Sequence, residues 1–198
     1  MLNLLLIVAC YLLGSVSFSF IFAKAFKGID IRQHGSGNAG ATNTLRVLGK
    51  GPAILVLALD ILKGIGAIWI ARAVEPDVIS IHVLCGLAVI IGHNWPVFFG
   101  FRGGKGIATT IGVMATLCFM PSLFAGIIAL SLIALTRYVS LGSLVFAALL
   151  PLFIILLGRP MEILIASIVI GVFAFYKHRT NISKLLQGKE NKLGASNK

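Results

Sequence analysis

Residues 107–135 read IATTIGVMATLCFMPSLFAGIIALSLIAL, 29 residues without a charge and with Pro121 followed by Ser122 near the middle. About 20 apolar residues cross a bilayer as a helix, so this stretch is too long for one span. Proline opens helices better than it continues them, because its nitrogen carries no hydrogen and its ring crowds the preceding turn. The stretch is therefore one kinked span or two short ones, 107–120 and 121–135, turning at Phe119, Met120 and Pro121. The choice fixes the number of spans and the side on which everything downstream lies.

Charge decides it. The other apolar runs are 2–23, 52–74, 78–92, 139–157 and 161–176, so two short helices make seven spans. Segments 24–51, 93–106, 136–138 and 177–198 then share one side and carry +12 together. The connections 72–77, 121 and 158–162 carry −1 on the other, and the embedded Asp60 and Lys63 cancel, which returns the +11 of the chain. A single span over 107–135 would send the cationic tail outside, against the positive-inside rule. The expected fold is an all-α integral membrane protein of seven transmembrane helices, several short, with the amino terminus out and the carboxyl terminus in.

Composition agrees. The chain is 58% apolar and 12% charged with a mean hydropathy of +1.01, against about 45–50% apolar and 25% charged in soluble domains. A soluble domain is excluded. With no polar stretch of even about 40 residues, residues 1–198 read as one membrane-embedded domain. The first cation is Lys24, so the opening run lacks the positive start of a cleaved leader and reads as a retained span. Cys10, Cys85 and Cys118 lie in apolar runs, odd in number and without a CxxC, and are expected as small buried hydrophobes. The excess of 17 Lys+Arg over 6 Asp+Glu implies a cationic face and an anionic ligand.

The short spans point to a site. The 14 residues of 107–120, at about 1.5 Å each, reach only about 21 Å of a roughly 30 Å core. Runs 78–92 and 107–120 flank the loop 93–106, and non-helical backbone at such depth is tolerated only where it is packed in protein or lines a wet cavity. That loop reads His93-Asn94-Trp95-Pro96-Val97-Phe98-Phe99-Gly100-Phe101-Arg102-Gly103-Gly104-Lys105-Gly106. Gly-Gly-Lys-Gly opening a helix offers backbone N–H groups, a cation and the positive end of the helix dipole to a phosphate. It is no Walker A motif, since Phe99 stands where a glycine belongs and Gly106 replaces the Mg²⁺-holding hydroxyl. The alternative for Arg102 and Lys105 is positive-inside anchoring alone, and the aromatic residues suit an interfacial belt.

The segment 35–46, GSGNAGATNTLR, contains a formal GxGxxG, but it follows a membrane span rather than a strand, so the dinucleotide reading fails. It reads instead as a glycine-rich, hydroxyl- and amide-bearing oxyanion loop with Arg46, or as a polar turn capping the next helix. Asp60 and Lys63 lie three apart on one helical face inside a span, as a structural ion pair or as part of a cationic site. His178 and Asn181 share a face without adding positive-inside charge. His82 reads as a packed or interfacial histidine, and His34 only borders Gly35.

Several chemistries are absent. No His is followed at H-x4-D spacing by Asp, no G-x-S-x-G exists, and six carboxylates cannot build the acidic Mg²⁺ cluster of a metal-dependent membrane phosphotransferase. No metal, no cofactor and no nucleic-acid partner is expected, nor a covalent enzyme intermediate.

GSGNAGATNTLR, GHNWPVFFGFRGGKGIAT, RYVSLGS, KHRTNI followed by LLQGKE, and the D-x-x-K-G of Asp60, Lys63 and Gly64 together resemble the bacterial acyl-phosphate:glycerol-3-phosphate acyltransferases, the PlsY family. The resemblance runs from the first span into the tail; residues after about 192 fall outside it. It implies a seven-helix enzyme of the bacterial cytoplasmic (inner) membrane whose motifs meet at the cytoplasmic face. The implied partners are acyl-phosphate, glycerol-3-phosphate and membrane lipid, with functional coupling to an enzyme that makes acyl-phosphate; the implied products are lysophosphatidic acid and phosphate. By the family's motifs Ser36, Asn38, Thr42, Asn43, Arg46, Lys105, Ser143, His178 and Asn181 would hold glycerol-3-phosphate. Of these, His178, Asn181, Lys105, Arg46 and Ser36 are expected to take part in the chemical step. The backbone at Gly103, Gly104 and Gly106 would approach the acyl-phosphate, with His93 beside it, and Glu190 would be mainly structural. Ser140 and Ser143 remain alternatives as ligand, and the base is His178, His93 or the substrate's own phosphate. An anion transporter with broken-helix sites predicts internal repeats, and none is visible between 1–100 and 101–198. An assembly subunit binding anionic lipid is the other rival.

Overall fold

The structure, a computed structural model, describes residues 1–194; of the tail outside the motif pattern, 195–198 lie outside the described residues. The chain divides into two compact units, Met1–Leu117 and Cys118–Lys198, and among the described residues it is helical with two short 3-10 turns and no strand.

The first unit holds α1 (Leu2–Ser15), α2 (Phe18–Lys27), α3 (Ala41–Leu48), α4 (Lys50–Val74), α5 (Ile79–Asn94) and α6 (Ile107–Leu117). Its main helix pairs are α1 with α5 and α4 with α6. Glycine makes both close. A Cβ on Gly14 would strike the Val89 carbonyl and one on Gly92 the Tyr11 carbonyl; likewise Gly64 lies on the Thr109 carbonyl and Gly112 on that of Ile61. Lipid tails are as apolar as leucine, so helices in a bilayer associate through such close van der Waals contact at small residues.

The second unit holds α7 (Phe119–Thr136), α8 (Val139–Leu156), α9 (Met161–Lys177) and α10 (Arg179–Leu186), with α8 packed against both α7 and α9. Gly142 lies on the Ala129 carbonyl. Pro151 sits inside α8 without ending it. Apolar side chains such as Leu130 and Leu135 stand exposed on α7, as a hydrocarbon-facing surface requires. All three cysteines are free and buried.

The uncharged stretch 107–135 is two helices, broken at Cys118 rather than at the expected Phe119–Pro121 turn. Pro121 falls in the first turn of α7, where its missing N–H is harmless. The expected 107–120 span shrinks to the 11 residues of α6, about 16 Å of helix. The expected first span 2–23 is also broken, at Val16 and Ser17. By length and composition five segments suffice to cross a membrane: Leu2–Lys27, Lys50–Val74, Ile79–Phe99, Phe119–Thr136 and Val139–Leu156. The pair α9 and α10, bent by 62°, makes a sixth.

Candidate functional site

In the first unit the site is built on the end of α5. His93 and Asn94 are buried there, and the turn of residues 103–106 folds back over them. The Gly104 N–H donates to the His93 carbonyl at 3.1 Å. Gly103 lies against that same carbonyl, Gly104 against the Nε2 edge of the His93 ring and the Ala39 carbonyl, and Gly106 against the Asn94 amide. No Cβ fits at any of the three, and Gly106 also has φ +82, a left-handed conformation that glycine adopts without strain. The backbone is thereby delivered to the start of α6 with Lys105 half-buried beside it, the arrangement that receives phosphate at a helix N-terminus.

The second loop is shaped from within. Buried Asn43 accepts the Ser36 N–H at 2.8 Å and donates to the carbonyls of His34 at 2.9 Å and Ile31 at 3.2 Å. That amide closes residues 31–43 into a compact loop. Ser36, Asn38, Thr42 and Arg46 make no side-chain hydrogen bond or ion pair among the described residues, and Ser36 and Arg46 are exposed. Upstream, Asp30 clasps Arg32 through both carboxylate oxygens, and Arg32 donates to the Phe99 carbonyl at 2.6 Å and lies 5.0 Å over the Phe20 ring. The Arg32 hydrogen bond holds the Asp30 carboxyl below its ordinary range. Phe20, Arg32, Phe98, Phe99, Gly100 and Arg102 line an open recess of ≈ 580 Å³ here.

Behind His93 lies a buried charge cluster. Lys63 Nζ is 2.8 Å from Asp60 Oδ1 and 2.9 Å from His93 Nδ1, and donates to the carbonyls of Gly14 at 3.1 Å and Val16 at 3.0 Å. His82, by contrast, is buried with Nε2 2.7 Å from the Glu75 carbonyl, in keeping with a packed histidine.

The second unit holds Ser140, Ser143, His178, Asn181 and Glu190, and joins Ser140 and Asn181 through Glu190. Glu190 Oε1 accepts from Ser140 Oγ at 3.0 Å and from Asn181 Nδ2 at 2.7 Å. Ser140 is thus committed to Glu190, while Ser143 Oγ donates to the Val139 carbonyl of its own helix at 2.9 Å. His178 is buried and its Nδ1 lies 2.8 Å from the Ala174 carbonyl. A carbonyl only accepts, so Nδ1 carries a proton. The tail is strapped down where Leu193 exchanges hydrogen bonds with Arg137 through its N–H and carbonyl.

Sequence reasoning missed Asn94, Asp30 and Arg32, which shape the loops; no spacing or charge pattern distinguishes them from ordinary loop and helix-end residues. Among the described residues no three His, Cys, Asp or Glu side chains are grouped as a metal-ligand set.

Residues 4–188 match the family model described as glycerol-3-phosphate acyltransferase. The chain is 54% identical to the glycerol-3-phosphate acyltransferase of Halalkalibacterium halodurans over 195 residues, covering 96% of this chain and 95% of that protein. Its fold matches two crystal structures of PlsY, an integral membrane glycerol 3-phosphate acyltransferase, both at 42% identity over 98% of this chain and 96% of that one. One is the glycerol 3-phosphate form, with a TM-score of 0.91, and the other the lysophosphatidic acid form, with a TM-score of 0.89.

Proposed function

This chain belongs to the PlsY family of glycerol-3-phosphate acyltransferases, and from that premise we propose that it takes the acyl group of an acyl-phosphate and places it on the 1-hydroxyl of sn-glycerol-3-phosphate. It is an integral membrane acyltransferase. The acceptor rests on one observation, the likeness along almost the whole chain to a protein solved in a glycerol 3-phosphate form. The donor rests on the chemistry of the turn 103–106, whose backbone and Lys105 suit a phosphate.

An acyl-phosphate is an activated mixed anhydride, so positioning and charge stabilisation suffice. The 1-hydroxyl oxygen attacks the acyl carbon, the bond from that carbon to the phosphate-bearing oxygen breaks, and phosphate leaves with the electron pair. The hydroxyl proton passes to the phosphate of glycerol-3-phosphate itself. Arg46 and Lys105 neutralise the anions, and Ser36, Asn38, Thr42, Ser143 and Asn181 orient the acceptor. His178 accepts a substrate hydroxyl through Nε2. Asn43 keeps its loop in shape, and Gly103, Gly104 and Gly106 let the backbone reach the donor. No group of the protein is acylated.

The same reading gives a single functional domain with seven spans, α6 being the short one, in the bacterial cytoplasmic membrane. Its amino terminus lies outside and its substrate-binding loops face the cytoplasm. The donor hydrolyses readily and is made elsewhere, which favours coupling to the enzyme that produces it.

The test is purified protein in lipid vesicles with labelled glycerol-3-phosphate and either acyl-phosphate or acyl-CoA. Lysophosphatidic acid from acyl-phosphate alone is expected. Product from acyl-CoA alone overturns the donor, and no product from either overturns the reaction.

A further inference from the structure

Asp60 and Lys63 stand inside α4 with side chains 2% exposed, where removing one partner of an ion pair leaves an uncompensated charge. Part of the reason for the pair is the break between α1 and α2. It leaves the Gly14 and Val16 carbonyls without helical partners, and Lys63 supplies them. That does not explain His93. Its Nδ1 lies 2.9 Å from Lys63 Nζ and 3.4 Å from Asp60 Oδ1, so one edge of the ring is fixed by the pair. The opposite edge, Nε2 and Cε1, is where a Cβ on Gly104 would collide, and the main chain of the same residue receives the Gly104 N–H.

We propose that His93 is a positioning residue: the Asp60–Lys63 pair sets the imidazole, and the imidazole sets the height of the turn 103–106 that receives the acyl-phosphate. The proposal rests on the donor assignment above. Its physical basis is that a donor set displaced by about 1 Å loses on the order of 10²-fold in rate, and the three glycines of the turn contribute no side chains to hold it.

Two amide variants separate the edges of the ring. His93→Gln carries a nitrogen near the Nε2 position and keeps the contact with Gly104; His93→Asn keeps only a partner for Lys63. Expected for His93→Asn are a KM for acyl-phosphate raised at least about tenfold, a KM for glycerol-3-phosphate within about twofold of wild type, and faster amide exchange at Gly104 and Gly106 in substrate-free protein. His93→Gln recovers most of both. Asp60→Leu/Lys63→Met, which removes the pair without leaving a lone charge, shifts the same parameters in the same direction as His93→Asn. Wild-type exchange in His93→Asn, an equal rise in both KM values, or no recovery by His93→Gln overturns the proposal. The exchange measurement needs no substrate. Inactivity of wild type with acyl-phosphate therefore counts against the donor assignment, and unchanged exchange counts against the role of His93.

Discussion

Glu190 Oε1 accepts the Nδ2–H of Asn181 at 2.7 Å, which turns the carbonyl end of that amide away from the carboxylate. The same oxygen accepts from Ser140, so one side chain of the tail ties the start of α8 to α10. A hydrogen bond to a charged group contributes about 1.5–3 kcal/mol, and a second carboxylate in place of the amide would face Glu190 with like charge. Asn181→Asp is therefore expected to reduce catalytic efficiency by about two orders of magnitude, and Asn181→Asp/Glu190→Gln to recover most of it. Steady-state kinetics of the single and double variants check this; a double variant no better than the single one refutes the orienting role.

His178 tests the route of the proton. His178→Asn keeps a donor near the Ala174 carbonyl and deletes the Nε2 position. With proton transfer to the substrate's own phosphate, the variant raises the KM for glycerol-3-phosphate about tenfold or more and leaves turnover within severalfold of wild type. A turnover rate slowed by about two to four orders of magnitude, with loss of the acidic limb of the pH profile, would instead mark His178 as the general base.

The glycine contacts between α4 and α6 are backbone contacts. Gly112→Ala is expected to push the two helices apart or strain them, at about 1–3 kcal/mol as in overpacked cores. Gly126, which a Cβ would leave in open space, is the control. Thermal unfolding in detergent should show a clear drop for Gly112→Ala and none beyond about 1 °C for Gly126→Ala.

Asp30 and Arg32 give a pH dependence. The Asp30 carboxyl is held low by Arg32, so the folded state binds its proton less readily than the unfolded chain does. The contribution is present above the ordinary carboxylate pKa of about 4 and is lost as pH falls through the lower folded value. The pair is partly exposed, so it contributes no more than about 1 kcal/mol. Subtracting the Asp30→Asn melting curve from wild type should leave a small difference, constant at neutral pH, shrinking below about pH 4 and gone once pH has fallen past the lower folded value. A difference that persists at lower pH contradicts the assignment.

Topology follows from charge. In a variant lacking Cys10, Cys85 and Cys118, single cysteines at Asp77 and Arg159 should react with an impermeant maleimide in intact cells. Those at Lys27 and Lys189 should react only after permeabilisation. Labelling of Asp77→Cys and Lys27→Cys from the same side removes the seven-span arrangement.

Hydropathy, charge counts and proline chemistry are local quantities, so the membrane class, the places of the two cationic glycine loops and the division of the 107–135 stretch were legible in the chain alone. Long ordered motifs made the family legible too. Helix breaks were not, because packing between distant segments sets them. The first run has no proline or glycine at Val16 and Ser17, and the break there is satisfied by Lys63, some 47 residues away. The same holds within the site. Asn43 looks like a ligand in the sequence, and its three bonds to Ser36, His34 and Ile31 make it a loop staple. The glycines at 103, 104 and 106 read as a phosphate turn, and only the tertiary structure shows that the His93 and Asn94 surface beneath them leaves no room for a Cβ. Hydrogen-bond satisfaction and close packing join residues distant along the chain, and no window of sequence contains both partners.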